Sequence, residues 1–248
     1  MAFRLFLLAG LLPLLLAGAA PAAAEPMRLK VAVLDDAPPL GFRDSSGQLT
    51  GFSIGVMRAL CAEMAAKCDF EVRRLEHLID DLAAGHFDVA AVGLLNTPER
   101  RQRIGFSRPV YRSLTVLFSR SGAQPGQPGV RLSVFKGSAQ ERYVKAQGWD
   151  YIGAQTDLEI LEQLRAGVTQ ACIVPLMTSL NLQGNPDFLK LGVQMNVLKV
   201  AELDSNAAFG ISPKRPELKA PLDKALEKIK LNASYDRINS QFLPFRVD

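Results

Sequence analysis

The pentapeptide Asn96-Thr97-Pro98-Glu99-Arg100 closely follows an apolar run at 87–92. The pattern predicts a buried strand that turns straight into a helix. Thr97 suits the N-cap, and Pro98 suits the first helical position, where its missing N–H costs nothing. A negative Glu99 is favoured in the first turn, whereas Arg100 and Arg101 oppose the helix dipole there. Free backbone N–H groups beside a guanidinium can hold a carboxylate or a phosphate. The same residues also read as an ordinary cap followed by solvated arginines, so the rest of the chain has to decide.

Other reactive side chains are few. Cys61 and Cys68 flank Ala62-Glu63-Met64-Ala65-Ala66-Lys67, between the last turns of one helix and the next strand. They are either a disulfide closing a small loop or two buried thiols, and export to an oxidising compartment favours the bridge. Cys172 lies in the apolar segment Ala171-Cys172-Ile173-Val174 and reads as an inert core thiol. A nucleophilic cysteine needs a base. The two histidines, His77 and His86, stand in polar helical surroundings, read as solvated, and are too few for a metal site. No cofactor is expected.

The chain begins with a basic Arg4, an apolar stretch at 5–16 and the small residues Ala22-Ala23-Ala24. This is the layout of a secretory signal peptide over 1–24, cleaved near Ala24. The apolar stretch is too short for a membrane span, and Pro13 and Pro21 interrupt it. The chain has 29 Lys+Arg against 25 Asp+Glu, a net charge of +4, and loss of Arg4 with the leader makes it +3. The cations are scattered rather than interleaved with aromatics, so nucleic acid is not an expected partner. The remaining length suits one large domain or two smaller lobes.

Elements can be placed by periodicity. An apolar strand at 29–34 ends in the turn chemistry of Asp35-Asp36-Ala37-Pro38-Pro39, and residues 43–48 read as a hairpin-like turn. Ile54, Met57, Cys61 and Met64 recur at helical spacing. Alternation of strands and helices predicts an α/β fold with doubly wound parallel sheets. A helix–glycine–strand unit occurs twice. Ile79-Asp80-Asp81-Leu82-Ala83-Ala84-Gly85 precedes the strand at 87–92, and Leu161-Glu162-Gln163-Leu164-Arg165-Ala166-Gly167 precedes the strand at 170–174. Two similar lobes account for this better than one sheet. The Gly- and Pro-rich segment 119–129 is the expected crossover between them. The expected division is 27–119 plus 205–248 for the first lobe and 120–204 for the second. After the crossover, Lys136-Gly137 turns into a capping box, with Ser138 as N-cap and Glu141 at N3. The tail returns through a strand at 207–211 and two helices, and is expected to pack on the first lobe, leaving a two-strand hinge that permits closure.

These residues resemble the bacterial extracellular solute-binding proteins of family 3, the amino-acid-type receptors of ABC importers. The resemblance runs over 29–242. It is carried by Gly85-x-Phe87-Asp88, by Thr97-Pro98-Glu99-Arg100, and by Ile104-Gly105-Phe106-Ser107-Arg108-Pro109-Val110-Tyr111. Gly47-x-x-x-Gly51-Phe52, Lys136-Gly137-Ser138 and Ser234-Tyr235-Asp236-Arg237-Ile238 add to it. It implies the type II periplasmic binding fold, two lobes around a ligand cleft, and a monomer. It implies that Arg100 clamps a ligand carboxylate while the N–H groups of the Gly137-Ser138 turn help from the other lobe. Some relatives carry a disulfide at the Cys61/Cys68 spacing. The implied ligand set is Arg100, Thr97, Asn96, Leu95, Gly93, Gly137, Ser138, Leu75, Ala37 and Pro175.

Several of these positions depart from the family pattern. The acid that binds a ligand α-ammonium in many members aligns with Pro175. The aromatic residues that sandwich a ligand side chain align with Ala37 and Leu75, and a usual Ser or Thr aligns with Leu95. Asp35, Asp36 or Asp204 could supply a carboxylate from a loop. Three functions are therefore weighed. The first is capture of a small carboxylate-bearing ligand, an amino acid or a related organic anion, for import through an inner-membrane ABC permease. The second is a sensor or partner-binding domain with a degenerate cleft. The third is a dehydratase-like enzyme, for which no general acid is evident beside Pro175. The expected protein is a binding protein rather than an enzyme.

Overall fold

The computed structural model describes residues 26–247, so the expected leader lies outside the described residues. The first half opens with β1 (Arg28–Val33), followed by the short strands β2 (Asp36–Ala37), β3 (Gly41–Arg43) and β4 (Leu49–Thr50). The Asp44 carboxylate accepts from Ser46 N, Ser46 Oγ and Gln48 N, which closes the expected turn between β3 and β4. Then come α1 (Phe52–Glu63), β5 (Lys67–Val72), α2 (Leu75–Ala84), β6 (Val89–Leu95), the short α3 (Pro98–Arg101), β7 (Gly105–Phe106) and β8 (Tyr111–Ser113). The second half contains β9 (Thr115–Ser119), β10 (Leu132–Phe135), α4 (Ala139–Ala146), β11 (Tyr151–Ala154), α5 (Asp157–Arg165) and β12 (Ala171–Pro175). It continues with α6 (Leu176–Gln183), α7 (Pro186–Leu189) and β13 (Gln194–Val197). The chain ends with β14 (Ser205–Ile211), α8 (Lys219–Leu231) and α9 (Ser234–Phe242).

Two sheets carry the molecule. The first runs β5-β1-β6-β14-β7, with β8 also paired to β14, and the second runs β11-β10-β12-β9-β13. In each, three parallel strands are followed by an antiparallel one. β1 is parallel to β5 and β6, with β14 antiparallel to β6; β10 is parallel to β11 and β12, with β9 antiparallel to β12. The strands of the repeated helix–glycine–strand units, β6 and β12, thus hold the same place in their sheets. This is the two-lobed arrangement that the repeat predicts.

The crossover is not where the composition suggests. β9 pairs with β12 and β13, both in the second sheet. The chain therefore passes between sheets at Leu114, and the Gly- and Pro-rich 119–129 segment is a loop connecting β9 to β10 within the second sheet. Packing explains the difference. Val116 and Phe118 are buried with Cys172, Val174 and Ile160, and Phe118 meets Phe188 edge-on. Turn-forming residues mark where a chain bends, not which sheet it bends towards.

The tail packs on the first sheet as expected. Leu222, Leu226, Ile229 and Tyr235 join Phe52, Ile54 and Met57 in one core. Phe52 lies edge-on to both Tyr111 and Tyr235, and the Tyr235 hydroxyl donates to the Val110 carbonyl at 2.6 Å. Full burial of an aromatic side chain such as Phe52 is worth about 1.5–3 kcal/mol, which helps to hold the Tyr111 segment beside β6. Cys61 and Cys68 form a disulfide between α1 and β5, and Cys172 is a buried thiol pushed by burial up to about 12.

Candidate functional site

Ligands of open α/β sheets gather at the carboxyl ends of the strands, and here those ends face each other. β6 runs further than its apolar pattern suggests, so that Gly93, Leu94 and Leu95 reach the cleft. Gly93 has φ +68, and a Cβ there would lie 2.5 Å from the Tyr111 hydroxyl oxygen. The glycine is what lets that hydroxyl approach the strand.

The turn after β6 forms as expected. Thr97 Oγ1 accepts from Arg100 N at 3.3 Å, and Pro98 takes the first helical position. The outcome for the two arginines is unequal. Arg101 Nη1 donates back to Asn96 O at 2.7 Å and Asn96 Oδ1 at 3.1 Å. Arg100 instead turns inward and is only 3 % exposed. Its Nη1 donates to Leu95 O at 3.2 Å and its Nη2 to Gly137 O at 3.1 Å, while Nε has no partner. No carboxylate among the described residues forms an ion pair with it; the adjacent Glu99 is bound to Arg142 Nε at 2.8 Å. Burial first, and then repulsion from Arg142, lower the Arg100 pKa to about 9, with Glu99 partly offsetting both. A cation so placed is stabilised by an anion.

The second jaw differs from expectation. Ser138 caps α4 by accepting from Glu141 N at 3.0 Å, and the Glu141 carboxylate reaches back to Gly137 N at 2.6 Å. Ser138 N donates to Phe135 O at 3.1 Å. Both turn N–H groups are therefore committed within the turn, and the turn meets Arg100 with its carbonyl instead. Gly137 has φ +74, and a Cβ there would come within 2.4 Å of Glu76 Cα. The two halves thus touch backbone to backbone. Nearby, Gln155 Nε2 donates to Glu76 Oε1 at 2.8 Å.

These contacts enclose a cavity of about 90 Å³. Of the residues expected at the site, Arg100, Leu95, Gly93, Ser138, Leu75, Ala37 and Pro175 line it. Asn96, Thr97 and Gly137 do not: the first turns to Arg101, the second is spent on capping, and the third reaches the site through its carbonyl. The sequence reading missed Tyr111, Ser113, Lys136, Gln140, Gln155 and Thr178. Tyr111 ends one of the motifs already noted and Lys136 begins another; Gln155 and Thr178 each lie just past the end of a strand that feeds a helix. Gln140 is buried and donates to Thr115 Oγ1 at 2.9 Å.

The three loop carboxylates part ways. Asp35 pairs with Arg43 at 2.8 Å and Asp204 with Arg112 at 3.2 Å. Asp36 lines the cavity from its solvent-facing side; crowding by the wall, then Asp35, raises its carboxyl pKa. A further acid, Asp157, opens α5 and is 7 % exposed. Its Oδ2 accepts from Asn181 Nδ2 at 2.9 Å and its Oδ1 has no partner. Burial pushes its pKa up to about 7, opposed by the Asn181 bond and assisted by Asp36.

Paired α/β sheets, each with one antiparallel strand, around a cleft lined from both strand-end edges define a type II periplasmic binding protein. Residues 29–245 match the bacterial extracellular solute-binding proteins, family 3, and the chain belongs to that family. The lysine/arginine/ornithine-binding periplasmic protein of Escherichia coli K12 is 26 % identical over 239 residues, 91 % of each chain. The L-arginine-binding protein of Pseudomonas aeruginosa is 25 % identical over 242 residues, again 91 % of each. Among solved structures, an arginine-specific periplasmic binding protein of Salmonella typhimurium superposes with a TM-score of 0.75 at 22 % identity, covering 88 % of this chain and 99 % of that one. The last likeness concerns the fold alone.

Proposed function

We propose that this protein is a periplasmic receptor that captures a small carboxylate-bearing ligand between two lobes and delivers it to an inner-membrane ABC permease. One observation carries the reading: a buried Arg100 guanidinium, with an unpartnered Nε and no ion-pairing carboxylate among the described residues, stands at the wall of the cavity between the sheets. The names of the relatives, which are periplasmic amino-acid-binding proteins, support the compartment and the activity class, as does the leader at 1–24. The lobes in this reading are 27–113 plus 205–248 and 114–204, so that β9 moves with the second sheet. The ligand site comprises Arg100, Leu95, Gly93, Ser138, Leu75, Ala37 and Pro175, joined by Tyr111 and Gln155. Isothermal titration of a carboxylate ligand tests this: Arg100→Ala is expected to lose at least about tenfold in affinity, since hydrogen bonds to charged groups are worth about 1.5–3 kcal/mol. Unchanged affinity would remove Arg100 from the site.

A sensor or partner-binding role is a second reading. The observation favouring it is that both Nη groups of Arg100 are already held by main-chain carbonyls. A thermal-shift screen separates the two, because a ligand at 100 times its Kd stabilises by about 2.7 kcal/mol. Lack of stabilisation by any amino or organic acid favours the sensor. Turnover of prephenate by purified protein would replace both readings with a catalytic one.

A further inference from the structure

The charged side chains lining the cavity among the described residues are Arg100, Lys136 and Asp36. They are unequally placed. Arg100 is buried. Lys136 is half-buried, its stem lying along β11 so closely that a Cβ on Gly153 would come within 2.5 Å of Lys136 Cγ. Asp36, the sole acid of the three, is exposed. The other charges close to Arg100 are Glu99 and Arg142, which are bound to each other. The inner wall is therefore electropositive or neutral. Its other lining residues include Leu95, Tyr111, Ser138, Ala139 and Pro175, none of which carries a negative charge.

Resting on the carboxylate reading above, we infer that the ligand is a short monocarboxylate without an α-ammonium group: an aliphatic, hydroxy- or keto-acid with an uncharged tail. An α-ammonium is fixed next to its own carboxylate. With the carboxylate on Arg100, the ammonium would be desolvated against this wall with no anion to meet it, and an unpaired buried charge is strongly unfavourable. A hydroxyl or keto oxygen in that position needs only hydrogen-bond partners, which Tyr111 and Ser138 can offer. The tail meets Leu34, Ala37, Leu75, Phe135 and Pro175, which suit hydrocarbon. A cavity of about 90 Å³ is well below the roughly 300 Å³ at the lower end of drug-sized pockets, so the tail is short.

Isothermal titration of the full mature chain with four probes of one carbon skeleton tests this: isovalerate, α-ketoisovalerate, valine and isovaleramide. The acids without the ammonium are expected to bind at least about tenfold more tightly than valine, with isovaleramide not binding. Valine binding as tightly as those acids would overturn the ligand class and leave the carboxylate reading standing. Isovaleramide binding as tightly as isovalerate, or no binding by any of the acids, would overturn both. Valine binding that drops tenfold or more in Asp36→Asn would identify the rim carboxylate as an ammonium partner and overturn the inference.

Discussion

Arg100 and Gly137 meet across the cleft, the guanidinium Nη2 donating to the glycine carbonyl at 3.1 Å. The contact joins the turn after β6 to the turn after β10, across the two sheets. In the proposed receptor, a ligand carboxylate and the closing lobe would engage this same side chain, which would couple binding to closure.

In the proposed clamp, Gly137 sets a steric limit on closure. With φ +74 and 2.4 Å between a would-be Cβ and Glu76 Cα, Gly137→Ala cannot reach this arrangement without displacing the backbone of α2. The variant is expected to fold, with an unchanged far-ultraviolet spectrum, but to stay open. Small-angle scattering would read a larger radius of gyration in the presence of ligand, and affinity would fall by about tenfold or more. Equal compaction of variant and wild type would refute the role.

Asp157 makes stability depend on pH. Burial raises its pKa from the ordinary aspartate value of 3.8 to about 7 in the folded state. Between those values the folded protein holds more protons than the unfolded one, so stability falls as pH rises through that window and levels off above it. Asp157→Asn is expected to flatten the dependence and to be the more stable protein at pH 8, by about 1–3 kcal/mol. Urea midpoints at pH 5 and pH 8 check this, and parallel profiles for the two proteins would disprove it.

The Cys61–Cys68 disulfide links residues seven apart in sequence. Closing so short a loop is worth about 2–3 kcal/mol. Paired substitution to serine should lower the unfolding free energy by that amount without altering ligand affinity, because neither cysteine lines the cavity. Urea unfolding under oxidising conditions reads the first quantity and calorimetric titration the second.

Much of the fold was legible residue by residue. Thr97 and Ser138 cap the helices their types predict, and β14 and the two tail helices fall where their apolar spacing places them. The crossover was not legible. Leu117 and Phe118 would suit either sheet, and only their packing against β12 and β13 assigns β9 to the second. The site was legible in part. Arg100 was singled out by its position after a buried strand, whereas Gln155 and Thr178 have no local signature that separates them from other polar residues at helix starts.

Taken alone, the sequence determines the secondary elements, the duplicated helix–glycine–strand unit and the turn that presents Arg100, because caps, periodicity and turn chemistry act between near neighbours. Tertiary structure decides the rest. It buries Arg100 while leaving Arg101 at the surface, and it directs the Glu141 carboxylate to Gly137 N, so that the turn offers a carbonyl rather than an anion-binding pair of N–H groups. It also places Asp36 at an exposed edge and Pro175 inside. The charge of a ligand wall is set by which distant segments two sheet edges bring together, and local residue types carry no record of that apposition.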